Sequence, residues 1–132
     1  MMFDPIANLF TKIRNATKVN KTFVVVQTSK IITNILNVMK AEGYIVDFEN
    51  IKKKDDVKAV TKVYLKYINR NSVIVGIKQV SKPGLRVYSK HQKIKKILNG
   101  LGISIVSTPL GIITGKTAME KKVGGEVIAY IW

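Results

Sequence analysis

The sequence predicts an α+β protein of two small packed lobes, an N-terminal α-β-α-β-β lobe and a C-terminal lobe that is mostly β with one or two short helices. Apolar residues recur at helical spacing in two segments of the first half and alternate with polar residues along much of the rest. The chain has 132 residues and is 46% hydrophobic, enough for one ordinary domain or two very small ones. No long linker, low-complexity segment or internal repeat divides it. A half of roughly 65 residues would bury only a marginal core by itself, so the lobes are expected to pack together.

Asp4 reads as an N-cap with Pro5 at the first helical position, and Ile6, Leu9, Phe10 and Ile13 follow at i, i+3, i+4 and i+7. This spacing predicts an amphipathic helix over about Pro5 to Ala16. Phe23 to Gln27 is a short β-branched run, hence a strand. Ser29 reads as a second N-cap, with Ile31, Ile32, Ile35, Leu36 and Met39 on one helical face and Gly43 just past the end. Tyr44, Val46 and Phe48 then alternate with Asp47 and Glu49. After the charged stretch Lys52 to Asp56, Val57, Ala59, Thr61, Val63 and Leu65 alternate with lysines. The pattern is a β-hairpin with a charged tip.

The lobe boundary is expected near Tyr67 to Asn71, giving domains of residues 1–66 and 67–132. Val73 to Val80 reads as a strand, and Ser81 to Lys90 as an irregular basic loop punctuated by Pro83-Gly84. From about Gln92 to Leu101, Ile94, Ile97, Leu98 and Leu101 have helical spacing among Lys93, Lys95 and Lys96, and Gly100 and Gly102 end that helix. Ile103 to Thr108, Ile112 to Thr114 and Glu126 to Trp132 read as strands, with a helical turn over about Lys116 to Lys122.

The 23 Lys and Arg against 8 Asp and Glu give a formal charge of +15, so a polyanion is the expected partner. The part up to Lys66 has 12 basic and 6 acidic residues, the remainder 11 and 2. No acid lies between Asp56 and Glu120. Solubility alone calls for a net charge of only about 2 to 8. Twenty of the 23 cations are lysine, a point charge suited to phosphate neutralisation more than to base reading.

Catalytic patterns are missing. Gly115-Lys116-Thr117 ends like a phosphate-binding loop, but Leu110 stands where that loop needs a glycine. Gly100-Leu101-Gly102 starts like a dinucleotide fingerprint, yet position 105 is Ile105. A Ser-His-Asp triad would depend on His91, the only histidine, with acids of the other half. No acid/base couple of carboxylates stands out, and zero cysteines exclude disulfides and Cys-based zinc sites. No enzyme, no cofactor and no metal is expected. No run of about 18 apolar residues or leader pattern is present, and the apolar stripes look committed to cores, so no membrane partner is expected.

Hydroxyls, glycines and cations crowd instead into irregular segments of the second half. The loop Ser81 to Lys90 offers Lys82, Arg86, Lys90 and Tyr88, a set suited to RNA if the Tyr88 ring stacks on a base or sugar, whereas a Tyr88 at the core edge would make the loop a mere turn. Ser107-Thr108-Pro109-Leu110-Gly111 sets two hydroxyls beside a glycine that permits close backbone approach. Glu126, after Gly124-Gly125, cannot neutralise phosphate. It can accept from a base amino group, hold an Arg or Lys, or form a strand-edge salt bridge with Lys121 or Lys122.

Asp-Pro-Ile-Ala-Asn-Leu at 4–9 with Ile-Arg-Asn-Ala at 13–16, Ser-Lys-Pro-Gly-Leu-Arg-Val-Tyr at 81–88, Gly-Leu-Gly-Ile-Ser-Ile-Val-Ser-Thr at 100–108 and Gly-Gly-Glu-Val at 124–127 resemble, in order and over the whole length, bacterial ribosomal protein eight of the small subunit. The resemblance implies a two-domain α+β structural protein of the cytoplasmic ribosome. It would bind the central domain of 16S ribosomal RNA during assembly, beside neighbouring small-subunit proteins five and twelve. It further implies repression of its own operon through an mRNA site that mimics the ribosomal one. The main RNA contacts implied are Tyr88, Ser107, Thr108 and Glu126, among Lys82, Arg86, Lys90, Gly111, Lys116, Gly124 and Gly125. Arg14, Asn15 and Lys30 are secondary contacts of the N-terminal lobe. The sequence departs from the family pattern at Pro109-Leu110, where Ser-Lys is usual, and after Thr114, where acids are usual.

Overall fold

The computed structural model describes residues 4–52, 59–90 and 102–132. Most of the predicted hairpin tip, His91 and the predicted helix from Gln92 to Leu101 lie outside the described residues. The fold is α+β, and the chain divides into two compact units, Pro5–Ile74 and Val75–Trp132, the latter joined by Asp4.

The first unit sets two helices against one three-stranded sheet. Helix α1 (Pro5–Lys18) buries Ile6, Leu9, Phe10, Ile13 and Ala16, the predicted stripe extended by one turn. Asn20, with φ +55°, ends it as the amides of Val19 and Lys21 return to the Ala16 carbonyl. Strand β1 is Phe23–Gln27, and α2 is Lys30–Ala41. The Ser29 side chain accepts the Ile32 amide at 3.2 Å as the N-cap, and Gly43 follows the end with φ +81°. Ile31, predicted on the apolar face, is exposed instead. At about 100° per residue Ile31 falls about 100° round the helix from Ile32 and farther from Leu36, at the edge of the face that Ile32, Ile35, Leu36 and Met39 bury.

Strands β2 (Ile45–Ile51) and β3 (Val60–Leu65) complete the antiparallel sheet in the order β1-β3-β2. Thr61, Val63 and Leu65 are buried as their alternation requires. In β2 the expected alternation fails. A register shift between Ile45 and Asp47 buries adjacent Tyr44 and Ile45 and leaves Val46 57% exposed. A bulge inserts one residue and so exchanges the two faces of a strand. Fully buried Thr61 donates to Asn50 Oδ1 at 2.7 Å and accepts from Thr28 at 2.8 Å, so its hydroxyl is satisfied. A small hairpin, β4 (Tyr67–Ile68) with β5 (Asn71–Ser72), follows.

In the second unit the predicted strand over Val73 to Val80 narrows to β6 (Ile77–Gln79). Gly76 lies so close to the indole of Trp132 that a Cβ would collide with it, and the Val75 and Gly76 amides both donate to the Trp132 carbonyl. That irregular pairing stops the strand from starting earlier. The other strands are β7 (Tyr88–Ser89), β8 (Ile103–Thr108), β9 (Gly111–Thr114) and β10 (Gly125–Ile131), with helix α3 (Gly115–Glu120) before β10. Their sheet runs β6-β10-β8-β9, and β7 also pairs with β10. Val106 and Ala118 pack with Ile113, Met119 and Val123 to seat α3 on the sheet.

Candidate functional site

The central strand β10 changes partner along its length. On one side it keeps β8 throughout. On the other, Ala129 to Ile131 pair with β6, while Gly125 and Glu126 pair with Ser89 and Tyr88 of β7. A bulge between Val127 and Ala129 marks the exchange, and the Ile128 carbonyl accepts the Val80 amide there. Glu126 is therefore flanked in register by Tyr88 on one strand and Ser107 on the other. Beside this junction opens a groove of about 1030 Å³, lined by Tyr88, Ser89, Lys90, Ser107, Thr108, Pro109, Gly124, Gly125 and Glu126.

Each wall has a local cause. Gly125 is glycine because a Cβ there would strike the Ser107 carbonyl and come within 3.2 Å of Thr108 Cα. Close approach of these two backbones brings the Ser-Thr turn up to the acid. The Thr108 hydroxyl donates to the Gly111 carbonyl at 2.8 Å and accepts the Leu110 amide at 3.1 Å, so it closes the turn and retains only acceptor capacity. Gly111, at φ +113°, supplies the left-handed step of that turn. Ser107 has no side-chain hydrogen bond among the described residues, which leaves its hydroxyl free to donate and accept.

The opposite wall is the basic loop. Lys82 and Leu85 exchange backbone hydrogen bonds, each at 2.9 Å, around Pro83-Gly84. Buried Ser81 accepts the Val87 amide at 2.8 Å, which ties the loop back just before Tyr88. Tyr88 is 71% exposed, so it is no core-edge residue. Glu126 is mostly covered, and its carboxylate meets Arg86 Nη1 at 3.2 Å rather than Lys121 or Lys122. The pair places one acceptor, with part of its charge neutralised, in a rim of cations.

Seven of the eleven predicted C-terminal site residues line the groove: Tyr88, Lys90, Ser107, Thr108, Gly124, Gly125 and Glu126. Arg86 reaches it through Glu126. Lys82, Gly111 and Lys116 are exposed but do not line it. Lys116 sits in the first turn of α3, whose N-cap Thr114 accepts the Thr117 amide at 3.2 Å and bonds the Thr117 hydroxyl at 3.0 Å. Arg14, Asn15 and Lys30 belong to the other unit, on α1 and at the start of α2. Sequence reasoning missed Ser89 and Pro109 as lining residues and Ser81 as a positioning residue. A serine in a basic loop carries no sign of burial, whereas Pro109 stood beside two singled-out hydroxyls. Among the described residues no cluster of His, Cys, Asp and Glu can hold a metal, and no helix is long and apolar enough to cross a membrane.

A family model described as ribosomal protein S8 matches residues 4–132. The chain is 54% identical to the small ribosomal subunit protein uS8 of Malacoplasma penetrans strain HF-2, with both chains wholly covered. It is 52% identical to the protein of that name from Leuconostoc citreum strain KM20, covering 99% of this chain and 98% of the relative. With the one from Streptococcus gordonii strain Challis it shares 49% identity over 100% of this chain and 99% of the relative.

Proposed function

The chain belongs to the ribosomal protein S8 family, whose members are structural and non-enzymatic, and from that premise we propose that it is a small-subunit component that binds the central domain of 16S ribosomal RNA through the groove beside β10. The observation that carries this is convergence. Tyr88, Ser107, Thr108 and Glu126, far apart in the chain, line one groove rimmed by Lys90 and Arg86. Lysines around it neutralise phosphates and supply affinity that any RNA can use. Tyr88 offers a face for stacking, while Ser107 and Glu126 offer the acceptors that distinguish one base edge from another. The protein works by clamping an irregular RNA helix, with no reaction to catalyse.

Residues 67–132 serve as the RNA-binding domain and residues 1–66 as the N-terminal domain, whose Arg14, Asn15 and Lys30 make secondary contacts. Small-subunit proteins five and twelve are the protein's neighbours. An mRNA helix of the same shape would fill the same groove, which extends the proposal to repression of the protein's own operon.

Binding to a transcribed central-domain helix and to a base-substituted version of it tests the reading. Wild type should prefer the cognate helix, with affinity falling steeply as salt rises. Tyr88→Ala should weaken cognate binding by about 1–3 kcal/mol without loss of stability. Glu126→Gln should chiefly reduce the preference between the two helices. Equal losses on both RNAs from Glu126→Gln would show that the acid only holds Arg86.

A further inference from the structure

The sheet of the first unit has two open edges, and they are built differently. At β1 the Thr22 carbonyl accepts the Leu65 amide at 2.9 Å, and the Thr28 amide donates to the Ala59 carbonyl at 3.1 Å. Backbone groups of an antiparallel strand alternate in direction. Val24 and Val26 therefore turn theirs toward β3, while Phe23, Val25 and Gln27 turn theirs to the open edge. No residue of β1 is charged, three in succession are valine, and neither a bulge nor a proline interrupts the strand. Phe23 and Val25 are 40% and 39% exposed. An edge of this composition invites another strand.

The β2 edge is blunted several times over. A bulge between Ile45 and Asp47 breaks its register, Asp47 Oδ1 accepts the Phe48 amide at 2.8 Å, and the acids Asp47 and Glu49 are exposed on it. Bulges and charges of this kind keep sheet rims from pairing. β1 has a single device. Lys12 Nζ donates to the carbonyl of Val25, the middle residue of the strand, at 2.7 Å, and among the described residues no other hydrogen bond reaches the outward groups of Phe23, Val25 and Gln27. The lysine comes from α1, which Leu9, Phe10 and Ile13 hold by complete burial, so its stem starts from a fixed base. Its ammonium occupies the position to which an added strand would have to bring an N–H.

We propose that Lys12 is a guard on the β1 edge: its bond to the Val25 carbonyl closes the strand to addition by a second copy of the chain. Without it, β1 would pair with β1 about a twofold axis at Val25, setting Val25 opposite its counterpart and Phe23 opposite Gln27. Each outward N–H and C=O would then find a partner. Two copies of a chain carrying +15 repel each other, but β1 brings no charge of its own to the junction, so the lysine supplies the local barrier that the strand lacks. The contact is autoinhibitory, and it acts within the first unit alone.

The test uses the full chain in about 0.15 M salt, where repulsion between copies is screened beyond about 8 Å. Wild type should sediment as a monomer at concentrations up to about 1 mM. Lys12→Met keeps the stem and removes the donor, and its mass should climb with concentration toward twice the monomer value. The Val25 and Gln27 amides should exchange hydrogen freely in the wild type and become protected in the associated variant. Lys12→Arg retains a donor and should stay monomeric. So should Lys18→Met, which removes a charge from the same helix without freeing the strand. Both lysines are exposed, so none of these changes opens the core. A Lys12→Met protein that remains monomeric would overturn the proposal. Association that leaves the Val25 and Gln27 amides unprotected would do the same, as would equal association of Lys18→Met.

Discussion

The two units treat their strands differently. In Pro5–Ile74 each strand of the three-stranded sheet keeps the same neighbours along its length, two helices cover the buried side, and the buried hydroxyl of Thr61 is fully hydrogen-bonded. In Val75–Trp132 the central strand trades β6 for β7 midway, and the groove opens where that trade is made. Uninterrupted pairing encloses a core. Exchange of partners exposes side chains from three strands at one point and leaves space between them, which is what recognition of an irregular ligand needs. The exposed Tyr88 and Pro109 belong to the second unit for this reason.

The sharpest way to break the comparison is to damage the core of the first unit. Phe10 is fully buried against it, so Phe10→Ala should cost about 3–5 kcal/mol in denaturant unfolding. Where the variant remains folded, recognition of the cognate RNA helix should persist. Loss of that recognition in folded Phe10→Ala protein would show that the groove depends on the first unit's core.

A smaller stability change with a larger functional one is expected at the junction. Gly125→Ala forces a Cβ against the Ser107 carbonyl, and should cost about 2 kcal/mol while abolishing discrimination between cognate and substituted helices. Retained discrimination would mean that the close approach of β10 to β8 does not shape the site.

The least effect comes from the exposed pair of Lys40 and Asp47, 3.0 Å apart. The Lys40 ammonium, and after it the Phe48 amide, hold the Asp47 carboxyl below the usual carboxylate range. A carboxyl lowered by folding adds stability above its unfolded pKa of ~3.9 and loses it as pH falls through the lower folded value. Asp47→Asn should therefore flatten the acid limb of the stability profile slightly. A change at neutral pH as large as that of Gly125→Ala would contradict the weak contribution expected of a solvent-exposed pair.

Legibility followed the same division. The helices of the first unit are readable because an apolar stripe at 3.6-residue spacing has only one way to be buried, and Ser29 and Gly43 mark the ends of α2 by local chemistry, whereas the Thr114 cap of α3 reads in the sequence as the end of a strand. The strands were readable in existence but not in detail. Val46 points to solvent because of a bulge, and the run before Ile77 is broken by Trp132, which lies far along the chain. The site residues are legible as hydroxyls, glycines, cations and one acid in basic segments, and through the family resemblance of the motifs that hold them. Their arrangement was not visible, and neither was Ser81, whose burial depends on the loop folding back over it.

By itself the sequence determined the α+β class, the two helices of the first unit, the polyanion partner and the family, because periodicity, capping chemistry, net charge and ordered motifs are all carried by residues close together in the chain. Tertiary structure alone decided that Glu126 stands between Tyr88 and Ser107 and takes Arg86 as its cation. Those facts depend on strand register and on backbones meeting across many residues, and a register shifted by one position would have turned the same residues away from one another.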